Sequence, residues 1–275
     1  MDKKLMTTKL EDGTLRISAS HLLELNKNLA GLSAAELIRW SHEVFGRRLA
    51  LLSAFQEAGC VLCHMVADLG LQDSVDILFV DTGVNFPETL ETIESIRNEY
   101  GLNIRTLKPA LAMAEQTEKL GVLYLSQDGQ KRCCHMRKTE PLLATKGEYD
   151  GILASLRREE GGTRAAVAPL VIDQQLNALR VHPLLAMTNV EMDEYIAKHK
   201  VIINPLHAQG YPTISCNRCT TPVLPGEDER AGRWRHLENA AKYCGINPTD
   251  RKRGAAEEYI ELPKAVADKV LDFVI

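Results

Sequence analysis

Four cysteines have the spacing of ligands for one metal centre. Cys133 and Cys134 are adjacent in QKRCCHMRK, and Cys216 and Cys219 form a CxxC pair in SCNRCTTP. Basic residues surround both pairs, and nearby positive charge stabilises the thiolate, which is the form of cysteine that binds metal. We therefore predict one metal centre that joins two segments about eighty residues apart.

The other three cysteines suggest different roles. Cys244, in KYCGIN, stands apart from the pairs and beside Gly245. An unpaired thiol of this kind is either a nucleophile or an inert buried side chain. Cys60 and Cys63 form a second CxxC in GCVLCHMV, and we expect them to be small buried residues of a helix.

Composition narrows the class of protein. The chain has 275 residues, 45% hydrophobic and 25% charged, with a formal charge of -4. These values are ordinary for a globular domain and disfavour nucleic-acid partners. No apolar run approaches the eighteen residues of a membrane span, and the first residues show no signal region, so we expect no membrane partner and a cytoplasmic location. Seven cysteines in a reducing compartment favour metal or thiol chemistry over disulfides.

Apolar segments alternate with helical patterns along the middle of the chain. We predict strands at 47–55, 75–81, 103–109 and 150–156, and helices at 57–70, 87–100, 109–120 and 187–200. Strands without polar alternation between helices indicate a parallel sheet covered on both faces, and hence a doubly wound α/β fold. We divide the chain into a helical N-terminal preface (1–45), a main domain (46–247) and a C-terminal tail (248–275) whose end is predicted to be helical.

Ligands of such sheets bind at the carboxyl ends of the strands. The loops after the first, second and fourth predicted strands therefore supply candidate substrate-binding residues. The first loop leads into a helix whose free amides can hold phosphate, and the third carries guanidinium groups suited to phosphate or sulfate. A packing turn and a solvated charged loop are the alternatives. The candidates are Ser53, Phe55, Gln56, Asp81, Thr82, Gly83, Arg157, Arg158 and Arg164.

A third basic segment follows the second cysteine pair. Arg230, Arg233 and Arg235 lie within six residues, and Trp234 beside them is placed to stack on a base or on a guanidinium. A solvated charged turn is the alternative interpretation.

These segments together resemble a known family. CCHMRK, SCNRCTTPVLPGEDERAGRW, FVDTGVNFPETL, LRREEGGTRA and KYCGIN are similar, in order over about 45–247, to the iron–sulfur adenylylsulfate (APS) reductases of the assimilatory sulfonucleotide reductase family. The resemblance implies an adenine nucleotide alpha hydrolase-like fold, related to the PP-loop pyrophosphatases, with a C-terminal redox segment. It also implies a [4Fe–4S] cluster on Cys133, Cys134, Cys216 and Cys219.

The resemblance further implies a mechanism of sulfate assimilation. Cys244 occupies the position of the family nucleophile, which attacks the sulfur of APS, expels AMP and becomes an S-sulfocysteine. Thioredoxin or a glutaredoxin-like dithiol then releases sulfite. Lys138, Arg230 and Arg233 resemble the family positions that supply positive charge, and Arg164 resembles one near the α-phosphate. Asn247 departs from the family signature, which has histidine there.

Several alternatives remain open from the sequence. In the first alternative, the enzyme is the same but its substrate is 3′-phosphorylated APS (PAPS). In the second alternative, the chain is a non-catalytic iron–sulfur or zinc protein. A third, a thiouridine-forming enzyme acting on transfer RNA, predicts a basic surface that the net charge does not favour. The tail packs on the body, covers a second subunit of a homo-oligomer, or acts as a lid.

Overall fold

A computed structural model describes the backbone of residues 8–9 and all of residues 13–238, 245–251 and 258–273. The strands are β1 Thr8–Lys9, β2 Thr14–Ser18, β3 Leu49–Leu52, β4 Asp76–Val80, β5 Ile104–Leu107, β6 Gly151–Ala154, β7 Leu170–Asp173, β8 Ala178–Val181 and β9 Tyr259–Pro263. The α-helices are α1 Leu22–Leu29, α2 Ala34–Phe45, α3 Glu57–Asp68, α4 Pro87–Tyr100, α5 Met113–Leu120, α6 Gln127–Cys134, α7 Glu140–Leu143, α8 Asn189–His199 and α9 Lys264–Asp272. Among these described helices, none is long and apolar enough to cross a membrane.

A six-stranded sheet forms the centre of the molecule, in the order β5-β4-β3-β6-β8-β7. Neighbouring strands are parallel except for β7, which runs antiparallel to β8. The central strand β3 has the apolar sequence LALL and is buried along most of its length, as expected when helices cover both faces of a sheet. The predicted doubly wound α/β fold is confirmed.

The strand order reverses beside β3. The chain runs from β3 outward through β4 to β5, and then returns to place β6 on the other side of β3. In open α/β sheets, the crevice at the carboxyl ends of the strands where the order reverses is the usual ligand site. This crevice lies between the ends of β3 and β6.

The N-terminal region and the tail form a second, smaller sheet with the order β1-β2-β9. β2 and β9 pair antiparallel, with Ile17 opposite Ile260. The preface predicted as helical therefore contains a strand before α1 and α2, and the tail predicted as helical contains β9 before α9. In β9, Ile260 and Leu262 are buried while their neighbours are more exposed, a period of two that belongs to a strand.

The tail packs on the body of its own chain. Ile260, Leu262, Ala267 and Val270 are fully buried in the main hydrophobic core. The sequence left three possibilities open for the tail, and its described residues show the first of them, packing on the body of the same chain. The proposed domain boundaries at 45 and 247 stay predictions.

The double cysteine lies in a continuous helical segment with an irregular centre. A π-helical turn, His135–Thr139, joins α6 to α7 directly after Cys134. Pro141 has no N–H to donate to the carbonyl of Arg137, four residues earlier, which disfavours regular α-helix here. Arg137 and Lys138 lie within the widened turn and are buried.

Candidate active site and cysteine cavity

A cleft of about 790 Å³ opens at the predicted edge of the sheet. One wall comes from the ends of β3, β4 and β6, including Ser53, Thr82 and Ser155, and the other comes from segments 207–215 and 223–233. This volume lies within the range of small-molecule and cofactor sites. The cleft therefore occupies the position where a doubly wound sheet binds its ligand.

The structure brings together most of the residues proposed for substrate binding and catalysis. Those that line the cleft are Ser53, Gln56, Thr82, Lys138, Arg157, Arg164, Arg230 and Arg233. Those that do not line it are Phe55, Asp81, Gly83 and Arg158. Cys244 lies outside the described residues.

Phe55 shapes the turn between β3 and α3. Its φ angle is +53°, its ring is fully buried, and the ring packs edge-on against Phe79 with centroids 5.7 Å apart. Its N–H donates to Oγ of Ser53 at 3.1 Å, which closes the turn. A left-handed backbone at a bulky residue is uncommon and must be held by its surroundings. Phe55 thus positions the wall of the cleft and its ring points into the core.

The amino end of α3 has a partner that the sequence analysis did not identify. The N–H of Glu57 donates to Nε2 of His207 at 3.2 Å. Burial lowers the pKa of His207 to about 4, so its imidazole is neutral at neutral pH and can accept this hydrogen bond. Gln56 is also engaged, because its Oε1 accepts the N–H of Ile214 at 2.8 Å. No sequence motif marks His207.

The loop after β4 is closed by its own hydrogen bonds. Oδ1 of Asp81 accepts from the N–H of Gly83 and from Nδ2 of Asn85, both at 2.8 Å. Gly83 has φ +70°, and a Cβ there would lie 3.0 Å from the guanidinium of Arg137. Asp81 and Gly83 therefore build the turn, and Thr82 between them is the residue that reaches the cleft.

The arginines of the loop after β6 are more constrained than the sequence suggests. The loop contains two short 3-10 turns, Arg158–Glu160 and Gly162–Arg164. Arg158 is exposed, and its Nε donates to the carbonyl of Val167 at 3.2 Å. Arg157 donates to Oδ1 of Asn189 at 2.7 Å.

Arg164 is held between two carboxylates. Its guanidinium pairs with Asp250 at 2.7 Å and also with Glu160. Burial alone lowers the pKa of Arg164, but the hydrogen bonds and charges of these carboxylates raise it above its ordinary value. Its positive charge is therefore largely offset within the protein.

Arg233 is held by an aromatic ring. Its guanidinium lies 4.4 Å from the ring centroid of Trp234, so of the two stacking partners proposed for Trp234 the structure shows the guanidinium. A β-bridge to Thr220 fixes the backbone of Arg233. Its buried Nε has no hydrogen-bond partner among the described residues. A buried donor of this kind is costly unless a ligand or water satisfies it, which makes Arg233 a strong candidate for binding an anion in the cleft.

The four paired cysteines line one small cavity of about 20 Å³ beside the cleft. Cys133 and Cys134 end α6, and Cys216 and Cys219 lie in a tight turn in which the N–H of Cys219 donates to the carbonyl of Cys216 at 3.0 Å. Side-chain amides also approach the sulfurs, with Nε2 of Gln130 3.2 Å from Sγ of Cys134. The two cysteine pairs therefore lie around the same cavity, as their spacing predicts.

The chemistry of this cavity suits a group that carries positive charge. Burial first, and then the neighbouring thiols of Cys216, Cys134 and Cys133, raise the pKa of Cys219 to about 12, while Lys138 acts in the opposite direction. Within the described residues, no three histidine, cysteine or carboxylate side chains are grouped so that they could hold a single metal ion. Four thiols around one cavity nevertheless match the kind of donor set that holds iron–sulfur clusters, in which neighbouring thiolates can bind different iron atoms.

Lys138 joins the two cavities. It lines both the cleft and the cysteine cavity, and its Nζ lies 2.6 Å from Oγ of Ser215, the residue before Cys216. The π-helical turn after the double cysteine places this lysine between them. The buried Lys138 thus contacts both the cleft and the cysteine cavity.

Cys60 and Cys63 are both fully buried in α3, as predicted. Burial raises the pKa of Cys63 to about 12 and that of Cys60 well above its ordinary value. Both thiols are therefore protonated at neutral pH and belong to the hydrophobic core.

Comparisons with known proteins agree with this architecture. Residues 48–222 match the model of the phosphoadenosine phosphosulfate reductase domain. The adenosine 5'-phosphosulfate reductase of Mycolicibacterium smegmatis is 36% identical over 219 residues, covering 80% of this chain and 90% of the relative. The protein of the same name from Streptomyces coelicolor is 32% identical over 242 residues, covering 88% and 100% respectively.

A solved structure shows the same fold. The phosphate complex of phosphoadenylyl-sulfate (PAPS) reductase from Candida auris superposes with a TM-score of 0.65 at 24% identity, covering 74% of this chain and 98% of that one. The fold predicted from the family resemblance is confirmed. From the domain match and the identity with these relatives, the chain belongs to the phosphoadenosine phosphosulfate reductase family.

Proposed function

We propose that this chain reduces APS to sulfite and AMP in assimilatory sulfate reduction, with Cys244 as the nucleophile. The family match and the names of the curated relatives support a reductase of this kind, as the sequence predicts. The observation that carries the proposal is the position of Lys138, between a nucleotide-sized cleft and four converging thiols. Those relatives are named for APS, which favours APS over PAPS.

The residues of the cleft offset the negative charge of the substrate. APS carries a phosphate joined to a sulfate, and a thiolate must approach the sulfur against their repulsion. Fixed cations in a water-poor site stabilise such a transition state more than cations in water do. Lys138, Arg230 and Arg233 line the cleft and supply these cations, and Arg157 adds a fourth.

The reaction needs three displacement steps at sulfur. The Cys244 thiolate attacks the sulfate sulfur, an S–S bond forms, and the S–O bond to AMP breaks with its electron pair leaving on AMP. A thiolate of thioredoxin or a glutaredoxin-like dithiol attacks Sγ of the S-sulfocysteine and expels sulfite. The second thiol of that dithiol resolves the mixed disulfide and regenerates Cys244. The dithiol is oxidised to a disulfide, and its two electrons leave on sulfite.

Cys133, Cys134, Cys216 and Cys219 would hold a [4Fe–4S] cluster. Bound there, the positively charged core of the cluster would stabilise the four cysteines as thiolates and fix the turn that carries Lys138. The reducing cytoplasm is the compartment that keeps such thiols reduced, and the six cysteines of the described region form no disulfide with one another. Homo-oligomerisation stays a prediction.

Mass spectrometry tests the proposal most directly. Incubation of the protein with APS and no reductant should add one sulfonate group to the peptide that contains Cys244, and thioredoxin should then remove it as sulfite. Cys244→Ser should abolish both events while AMP binding is retained. Turnover without a Cys244 adduct would overturn the mechanism.

Two further measurements decide between the alternatives. Sulfite release from APS and from PAPS, compared at equal concentrations, should favour APS, and a large preference for PAPS would refute the choice of substrate. Iron and sulfide analysis of the anaerobically purified protein should find both elements. Zinc in their place would refute the cluster.

A further inference from the structure

The segment just after Cys244 is fastened by one arginine. Arg251 donates from Nε to the carbonyl of Gly245 at 2.8 Å and from Nη2 to the carbonyl of Ile246 at 3.0 Å. Its remaining nitrogen, Nη1, donates to Oδ1 of Asp173 at 2.9 Å. The rigid fork of a single guanidinium therefore holds two consecutive peptide carbonyls against a side chain of the sheet.

The anchor of this contact is buried. Asp173 ends β7, and Arg180 of the neighbouring strand β8 donates to its other oxygen at 2.9 Å. The side chains of Asp173 and Arg180 are both 0% exposed. Asp173 is thus shared by two arginines, one inside the sheet and one in the segment that follows Cys244.

A second contact holds the same segment from the side of the cleft. Asp250 pairs with Arg164, and Nδ2 of Asn247 lies 3.4 Å from Oδ2 of Asp250. Ile246 and Asn247 line the cleft itself. Residues 245–251 are therefore fixed at the rim of the cleft by two ion pairs, one with Asp173 of β7 and one with Arg164 of the loop after β6.

We infer that Arg251 is a positioning residue for the nucleophile. The inference rests on the proposed function, in which Cys244 must meet the sulfur of a nucleotide bound in the cleft. Cys244 is bonded to Gly245, and neighbouring Cα atoms are about 3.8 Å apart, so holding the Gly245 carbonyl limits how far the thiol can travel. A misplacement of about 1 Å at a reacting group can cost about a hundredfold in rate. Arg251 acts on the reaction through the backbone and contacts no nucleotide.

The test separates positioning from binding and from thiol reactivity. In single-turnover experiments with APS and no reductant, Arg251→Ala should slow sulfonation of Cys244 by about ten- to a hundredfold. AMP affinity should stay within about twofold, because Arg251 does not line the cleft. Alkylation of Cys244 by neutral iodoacetamide should be at least as fast as in the unmodified protein. Arg251→Lys should recover part of the rate, because an ammonium can still pair with Asp173 but lacks the planar fork.

Arg16→Ala is the matched control. It removes another ion pair of the C-terminal region, Arg16 with Glu261 at 2.8 Å, and leaves the contacts of residues 245–251 in place. It should sulfonate Cys244 at the normal rate. Thermal unfolding checks that each variant is folded, and if Arg251→Ala is not, Arg251→Lys alone should still show slower sulfonation at normal AMP affinity.

Three outcomes would overturn the inference: sulfonation within twofold of normal in a folded Arg251 variant, a loss of AMP affinity in proportion to the rate, or equal slowing in Arg16→Ala. Absence of sulfonation in the unmodified protein would instead refute the proposed function.

Discussion

The cleft and the cysteine cavity lie side by side but are built differently. The cleft, about 790 Å³ in volume, is formed by strand ends and by turns closed by their own hydrogen bonds, such as those of Asp81 and Ser53. The cysteine cavity, about 20 Å³, is lined by side chains of a helix and a loop, and burial together with the neighbouring thiols raises the pKa of Cys219 there. The sheet and its closed turns therefore shape the cleft, whereas we expect the cysteine cavity to depend on the group proposed to bind there.

The largest expected effect comes from removing a ligand of the cysteine cavity. In Cys133→Ser or Cys216→Ser, we expect loss of iron and sulfide and no measurable sulfite formation, because Lys138 loses the structure that holds it. AMP should still bind, with an affinity changed by less than about threefold, since the cleft is shaped by the sheet. Metal analysis, a sulfite assay and calorimetry with AMP measure the three properties.

Cys60→Ala is the control for that pair of variants. It removes a buried thiol of a CxxC that does not line the cysteine cavity, so iron content should be unchanged. Loss of AMP binding in Cys133→Ser, or loss of iron in Cys60→Ala, would contradict the separation of the two regions.

A smaller effect is expected within the cleft. Arg233→Leu should lower kcat/KM for APS by about a hundredfold, the usual cost of removing one preorganised donor to a developing charge. Arg158→Leu should change it by less than about threefold, because Arg158 is exposed and does not line the cleft. Steady-state kinetics with thioredoxin measures both variants, and equal losses would show that the described cleft is not where APS binds.

The smallest effect concerns acid stability. Burial lowers the pKa of His207, in the cleft wall, and of His182, in the core, to about 4. The unfolded chain then binds more protons than the folded one below the ordinary histidine pKa of about 6.5. The contribution of each neutral histidine to the free energy of unfolding should therefore be fully present above about pH 6.5. It should be lost as the pH falls toward 4, and the loss at pH 5 should be about 2 kcal/mol per histidine.

Urea unfolding at pH 8 and pH 5 measures this decline. In His182→Gln and in His207→Gln, the free energy of unfolding should differ less between pH 8 and pH 5 than it does in the unmodified protein. An unchanged difference in His207→Gln would mean that the cleft wall does not depend on a neutral imidazole.

The helices and strands of the central sheet were largely predictable because their signals are local. Helix α4 begins and ends where its pattern indicates, from Pro87 to Tyr100, and the apolar runs give β3, β4 and β6 within a few residues. β7 and β8 have a weaker signal, because Asp173 ends β7 after three apolar residues and Arg180 interrupts the apolar run of β8. In the structure these two charges neutralise each other in the sheet.

The sequence predicted which kinds of residue line the cleft and the cysteine cavity better than it predicted which residues those side chains contact. The cysteine pairs converge as their spacing indicates, and the loops after the strands do line the cleft. Which arginine faces the cleft depends on distant partners, such as Asp250 for Arg164 and Asn189 for Arg157, that no local pattern shows. The same holds for His207, whose partner Glu57 lies 150 residues away.

The pairing of β2 with β9 also has a consequence for how the chain is made. Arg16 and Glu261, which bond across these strands, are 245 residues apart. At roughly 5–20 residues per second on the ribosome, β2 waits about 10–50 s for its partner after it is synthesised. The central sheet, whose strands have closer partners, can form in that interval, so the small sheet is a late step of folding. A nascent chain would therefore form its central sheet before the small sheet is complete.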